Sequence, residues 1–159
     1  DENGETSLNG DINYQVLNII LNDPWYKLSP PKSIDKYYLN NLLFLNIGHL
    51  DTVDQAATIS KLISLQFKES LKFFSTYPKS IYISGGGAKN KAIMNGFFKD
   101  YNNLIFSLED NNWNADAMEA QAFAYLAVRS IKSLHYTYNK ITGVNSPTSG
   151  GVLNFPNNN

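Results

Sequence analysis

Lys79–Ser80–Ile81–Tyr82–Ile83–Ser84–Gly85–Gly86–Gly87–Ala88–Lys89–Asn90 is the stretch from which the fold is read. Its β-branched and aromatic run predicts a strand over 79–84, closed by consecutive glycines. A helix follows from about Lys89 to Tyr101, with Ile93, Met94, Phe97 and Phe98 inward. A strand that stops at glycines leaves a turn free to take φ > 0, with no Cβ atoms to block a ligand. The next helix aims its free N–H groups and positive dipole end at that turn. Two readings stand: a plain strand–turn–helix connection, or a place for an anion or a nucleotide.

Outward from this point the pattern is α/β. Asn102–Asn103 reads as a turn and 104–108 as a second strand, so strand, helix, strand make a βαβ unit with parallel strands and a right-handed crossover. Glu109 to Asn114 reads as a polar loop. Asn114 or Asp116 caps a helix over Ala115–Leu134, whose alanines and Phe123, Leu126 and Val128 suggest tight packing. Residues 135–148 read as loop, and 150–155 as a short apolar tail before Pro156 and the final asparagines.

Upstream, Thr52 and Gln55 form a capping-box pattern. They open a helix to about Ser75 whose stripe is Ala56, Ile59, Ile63, Phe67, Leu71 and Phe74. Asp35 starts a helix to about Asn46 that carries Tyr38, Leu39, Leu42, Leu43 and Leu45, closed by Gly48. Asp11 caps a helix from Ile12 to about Asn22, ended by Asp23–Pro24. Residues 1–10 read as a turn or a hairpin fragment. Helices thus outnumber strands, and a lone parallel pair has two open edges. Either residues 1–10 and 151–156 complete the sheet, or part of it lies outside this sequence.

Composition narrows the function classes. The 159 residues suggest one domain; 43% are hydrophobic and 17% charged, enough for a core. The net charge of −1, from 13 basic and 14 acidic residues, offers no basic face for nucleic acid or a membrane surface. Cysteine is absent, so no disulfide framework or thiolate metal site is expected. No apolar run reaches membrane length, and the acidic start at Asp1 and Glu2 is unlike a signal peptide.

Several motifs fail at the glycine turn. There is no Gly-x-x-x-x-Gly-Lys-Ser/Thr, and Gly85, Gly87 and Asn90 break the dinucleotide pattern at its last position. No serine lies in Gly-x-Ser-x-Gly. His49 and His135 lack partners at metal-ligand spacing, so no metal ligand is assigned. Glu119, in Asp116-Ala117-Met118-Glu119-Ala120-Gln121-Ala122-Phe123-Ala124, pairs with Asp116 in a capping box or grips sugar hydroxyls. Ser29-Pro30-Pro31-Lys32-Ser33 is a rigid link, or a loop presenting Lys32 and Ser33 to a ligand.

Taken together the motifs resemble one family. Pro30-Pro31-Lys32-Ser33, Ile83-Ser84-Gly85-Gly86-Gly87-Ala88-Lys89-Asn90, Asp116 to Ala124 and Ile141-Thr142-Gly143-Val144 occur in its order and rough spacing. Nearly the whole chain resembles the C-terminal half of an anhydro-N-acetylmuramic acid kinase. That implies the C-terminal lobe of an actin-like (ribonuclease H-like) kinase fold, helix-rich with an incomplete sheet. Residues 1–159 would form a single nucleotide-binding lobe that begins after the lobe's first strands. The resemblance implies ATP with Mg²⁺, hydrolytic ring opening and phosphorylation of 1,6-anhydro-N-acetylmuramic acid, and cell-wall recycling in the bacterial cytoplasm. Gly85, Gly86, Gly87 and Asn90 would line the nucleotide pocket, with Thr142 and Gly143 nearby, and Glu119 would face the sugar.

The departures are specific. The family's Gly-Thr-Ser-x-Asp-Gly phosphate loop and the base-bearing Asp-Thr-Gly-Pro-Gly-Asn are not in this sequence, so no catalytic residue is assigned in this chain. Where the family continues Pro-Pro-Lys-Ser with Thr-Gly-Arg-Glu, this chain has Ile34-Asp35-Lys36-Tyr37. Action would need a partner chain carrying the N-terminal lobe. From another class comes a non-catalytic protein that has lost kinase activity and self-associates as a homo-oligomer through its sheet edge and apolar face. A different actin-like kinase or a nucleotide sensor is a third reading.

Overall fold

Short polar side chains start most of the helices in the computed structural model, which describes residues 1–106, 108 and 111–155. In chain order come α1 (Glu5–Leu8), α2 (Tyr14–Leu21), α3 (Pro24–Lys27), α4 (Lys36–Ile47) and α5 (Thr52–Ser70). Then follow β1 (Ile81–Tyr82), α6 (Lys91–Tyr101), β2 (Ile105–Phe106), α7 (Met118–Ile131) and α8 (Asn139–Thr142). Asn13 accepts from the Val16 N–H, Asp35 from Tyr37 and Tyr38, Asn90 from Ile93, and Asn114 from Asp116 and Ala117. Each satisfies donors that a helix start leaves without a partner.

Some starts and stops differ from the sequence reading. Asn13, not Asp11, caps α2; the Asp11 N–H instead donates to Asp54 at 2.7 Å. Asp23, read as a stop, also begins α3 by accepting from the Trp25 N–H. The Thr52–Gln55 capping box does not form, because Gln55 Nε2 donates to the Leu50 carbonyl at 2.7 Å. Helix α5 ends at Ser70 and tightens into a 3₁₀ turn over Leu71–Phe73, short of Ser75.

The core has two clusters, and α5 supplies side chains to both. Val16, Leu17, Ile20, Tyr26, Ile47 and Leu62 form one, with Leu42, Leu43 and Leu65 around it. Ile81, Phe97 and Tyr101 form the other, against Phe67, Leu71, Ile93 and Ile105. Phe67 lies 5.3 Å from Phe97 and 5.4 Å from Tyr101, centroid to centroid, a geometry aromatic quadrupoles favour. The stripe read on α5 needs correction: Ile63 and Phe74 are exposed, while Ala57, Thr58, Ser60, Leu62 and Ser64 are buried. The reason is the close approach of α1 and α6, both packed on α5. The Ser7 and Ser60 hydroxyls meet at 2.8 Å, and a Cβ on Gly96 would lie 2.8 Å from Ser64 Oγ. On α4, Leu45 and Tyr38 are exposed.

A parallel strand–helix–strand unit forms, with shorter strands than the sequence reading gives. Strand β1 pairs parallel with β2, Ile81 opposite Ile105 and Tyr82 opposite Phe106, with α6 as the crossover. Each strand is only two residues long. Leu104 belongs to a 3₁₀ turn; Ser107 of the expected strand, and Glu109 and Asp110 of the expected loop, lie outside the described residues. Neither end of the chain completes the sheet among the described residues. Residues 1–10 are not a hairpin: a 3₁₀ turn over Glu2–Gly4 leads into α1, held by the Asp1 carboxylate on the Thr6 N–H at 2.9 Å. Residues 151–155 join no strand. Within the segment read as loop, Thr137 and Thr148 form an antiparallel bridge around α8.

Helix α7 is the largest departure. Its apolar residues predicted tight packing, yet none is buried; Phe123 is 63% and Val128 51% exposed. Sheet strands of two residues leave little surface for it to cover. Among the described residues no helix is long and apolar enough to cross a membrane.

Candidate functional site

Ser84 leads out of β1 into Gly85, which holds φ at +85°. An L side chain is strained there, so glycine is required by the backbone itself. Gly86 to Lys89 form a 3₁₀ turn that ends at Asn90, the cap of α6. A Cβ on Gly85, Gly86 or Gly87 would meet no atom within 4 Å, so the turn faces open space. Opposite it, Asn114 caps the 3₁₀ turn over Ala115–Ala117 that launches α7. This turn brings Asp116 and Glu119 to the glycines, and Lys89 Nζ pairs with Asp116 Oδ1 at 3.0 Å.

Two adjoining cavities result. One, of about 240 Å³, is lined by Ser84, Gly85, Gly86, Lys89, Asp116 and Glu119, with Ala115 and Met118. The other, of about 370 Å³, has an apolar wall that includes Ile83, Met94, Phe98, Ile105 and Phe106. They share Gly85, Lys89, Ala115 and Asp116. An apolar recess beside a polar one with open backbone suits a ligand that carries a flat ring and hydroxyl or anionic groups.

Of the residues singled out from sequence, Gly85, Gly86 and Glu119 line one cavity. Gly87 and Asn90 line neither. Asn90 is the cap of α6: Oδ1 accepts from Ile93 at 3.1 Å, and Nδ2 donates to Asp1 at 3.4 Å. Glu119 does not close a capping box with Asp116, since Asn114 makes the cap and Asp116 pairs with Lys89. Sequence reasoning read Asp116 only as a capping residue and gave Lys89 no role, because nothing local announces that they meet.

The Pro30-Pro31-Lys32-Ser33 segment acts as a tied link. Lys32 Nζ donates to the Trp25 and Tyr26 carbonyls at 3.1 and 3.2 Å and sits 4.1 Å from the Trp25 ring centroid. Trp25 Nε1 donates to the Ser33 carbonyl at 2.8 Å. A Cβ on Gly143 would lie 3.3 Å from Pro31, so the Thr142–Gly143 turn rests against this link. Among the described residues no three of His, Cys, Asp and Glu stand close enough to hold a metal ion.

A glycine turn between a strand and a helix, sharing a cavity with a carboxylate on a second helix, defines a helix-rich α/β unit with a small parallel sheet. The family model described as anhydro-N-acetylmuramic acid kinase matches residues 1–156. The anhydro-N-acetylmuramic acid kinase of Methylorubrum populi is 35% identical over 156 residues, which cover 98% of this chain and 41% of the relative. That of Caulobacter vibrioides is 32% identical over 153 residues (96% and 40%), and that of Zymomonas mobilis 30% over 155 (98% and 42%). The chain belongs to the anhydro-N-acetylmuramic acid kinase family, and it spans about two fifths of the length of these relatives.

Proposed function

We propose that the cavity between the glycine turn and α7 is part of the nucleotide and sugar site of an ATP-dependent anhydro-N-acetylmuramic acid kinase. The carrying observation is that Gly85 and Gly86 share one cavity with Glu119, a residue far away in sequence. In this reading the chain is the C-terminal, nucleotide-binding lobe of an actin-like (ribonuclease H-like) fold. Gly85, Gly86 and Gly87 let the backbone approach the adenosine end of ATP. Asn90 fixes the helix behind them. Glu119 accepts hydroxyl protons of 1,6-anhydro-N-acetylmuramic acid.

Mg²⁺ characteristically keeps waters and binds through one or two carboxylates plus substrate phosphates, so it would arrive with ATP and neutralise charge on the phosphates. Phosphoryl transfer also needs a phosphate cradle and a base. Neither motif is in these 159 residues, so both would come from the rest of the family fold. The reaction is then hydrolytic ring opening and phosphorylation in the bacterial cytoplasm, within cell-wall recycling.

Calorimetric titration of the chain with ATP and Mg²⁺ tests the reading. Gly86→Val places a side chain in the open turn and is expected to abolish measurable binding; an unchanged affinity would overturn the proposal. Glu119→Gln is expected to leave ATP affinity alone. In the presence of the rest of the family fold it should lower sugar phosphorylation about 10- to 100-fold, the worth of one hydrogen bond to a charged group.

A further inference from the structure

A further cavity, of about 420 Å³, opens between the Pro30–Ser33 link and the C-terminal end of α5. It shares no lining residue with the two cavities at the glycine turn. Its walls are apolar and largely aromatic: Trp25, Ile34, Leu39, Phe73 and Phe74. Ile34 is also where this chain departs from the family's motif, so the resemblance implies nothing about this wall. Phe73 is 40% and Phe74 62% exposed. A recess of this size, with flat apolar walls and few polar groups, suits a small ligand. One cation stands in it. Lys32 lines the cavity half-buried, with Nζ 4.1 Å from the Trp25 ring centroid and 5.1 Å from that of Phe73. Two of its three ammonium donors go to the Trp25 and Tyr26 carbonyls. Rings and carbonyls attract an ammonium but carry no net charge. The carboxylate that lines the same cavity, Glu69, is paired with Lys72, and Lys32 forms no ion pair among the described residues. Charges taken out of water are ordinarily paired, so the group that complements Lys32 is an anion.

We propose that this cavity binds a small aromatic carboxylate. The carboxylate takes the third Lys32 donor in a charge-assisted hydrogen bond. The flat ring lies against Trp25, Phe73 and Phe74, where offset and edge contacts between rings are favourable and the two exposed phenylalanines become covered. A phosphate or a second carboxylate is disfavoured, because the lining holds no further cation and holds Glu69 instead. The site is separate from the nucleotide reading. A failed ATP titration leaves it standing, and its own failure leaves ATP binding standing.

The test titrates the isotope-labelled chain with naphthylacetate and follows the two tryptophan indole N–H signals by NMR. Trp25 Nε1 donates to the Ser33 carbonyl at 2.8 Å, which ties its signal to this wall, and Trp113 is the internal control. The Trp25 signal is expected to move and the Trp113 signal to stay. Neutral naphthylacetamide should bind about 10-fold more weakly, the loss of one charge-assisted hydrogen bond. Cyclohexylacetate should be weaker than naphthylacetate, and free acetate should not bind. Lys32→Met should bring naphthylacetate down to the affinity of the amide, and Lys32→Arg should retain most of it. Lys32 also holds two backbone carbonyls, so Phe74→Glu, at an exposed position, supplies a second variant. It should keep the wild-type circular dichroism and abolish binding. Saturating ATP with Mg²⁺ should leave the naphthylacetate affinity unchanged. A still Trp25 signal, equal affinity for acid and amide, wild-type affinity in Phe74→Glu, or displacement by ATP would each overturn the proposal.

Discussion

Lys89 Nζ lies 3.0 Å from Asp116 Oδ1, tying the glycine turn to the turn that launches α7. Both side chains are exposed, so the pair adds little stability, about 0–1 kcal/mol for surface ion pairs in general. Its placement matters more, because both residues wall both cavities. Lys89→Met and Asp116→Asn are expected to leave the urea midpoint nearly unchanged. Lys89→Met should weaken ATP binding a few-fold by removing a cation that faces an anionic ligand, and Asp116→Asn should strengthen it. Both effects should shrink in high salt. Calorimetry at two ionic strengths checks this, and identical affinities in all three proteins would remove the charge argument.

Asn90 carries a separable prediction. Its side chain accepts from the Ile93 N–H at 3.1 Å and so satisfies one free donor of α6. Asn90→Ala is expected to cost about 1 kcal/mol of stability, as lost caps do, while Asn90→Asp retains most of it. Below the unfolding transition, ATP affinity should stay at the wild-type value in both. A loss of ATP affinity without a loss of stability would instead mark Asn90 as a ligand contact.

Gly96 is fixed by packing and not by backbone angle. A Cβ there would lie 2.8 Å from Ser64 Oγ and 3.0 Å from Ser64 Cβ, where α6 crosses α5. Gly96→Val is expected to destabilise by about 1–3 kcal/mol, the usual cost of overpacking. Gly96→Ala should cost less, and less again in a Ser64→Gly background, because the clash is with that side chain. A double-mutant cycle reads the coupling directly; additive costs would show that the helices yield elsewhere.

These two residues also show what was legible. The strand–glycine–helix–strand unit could be read because its signals are local: Ile81 to Ile83 favour a strand, and Gly85 to Gly87 break it. Asp35 was readable as a helix start for the same reason, whereas Asn114 was only one of two candidate caps beside Asp116. The tight face of α5 was not, since Thr58, Ser60 and Ser64 are polar and their burial depends on α1 and α6 coming close. Helix α7 was misread in the opposite sense: Phe123 and Val128 carry the pattern of burial, but a pattern does not say whether the covering layer is at hand. The resemblance assigned Gly85 to a nucleotide and Glu119 to a sugar without saying that the two line one cavity, and the meeting of Lys89 with Asp116 had no signal at all.

Tyr26 makes stability depend on alkaline pH. It is buried in the first core cluster, and Gln66 Nε2 donates to its hydroxyl oxygen. Burial disfavours the phenolate and raises its pKa above the usual 10.0; the Gln66 hydrogen bond pulls the other way, Asp23 adds to the rise, and the net direction is up. The native state therefore holds this proton to higher pH than the unfolded chain does. Its contribution is complete below about pH 10 and is lost as pH rises through the higher folded-state value. Unfolding free energy from urea titrations should fall with rising pH above about pH 10. Tyr38 and Tyr101 are also shifted upward, so Tyr26→Phe should reduce that slope without abolishing it. Absorbance of the phenolate, followed in parallel, should show one fewer late-titrating tyrosine in the variant. An unchanged slope would mean that the Tyr26 hydroxyl reaches solvent in the native state.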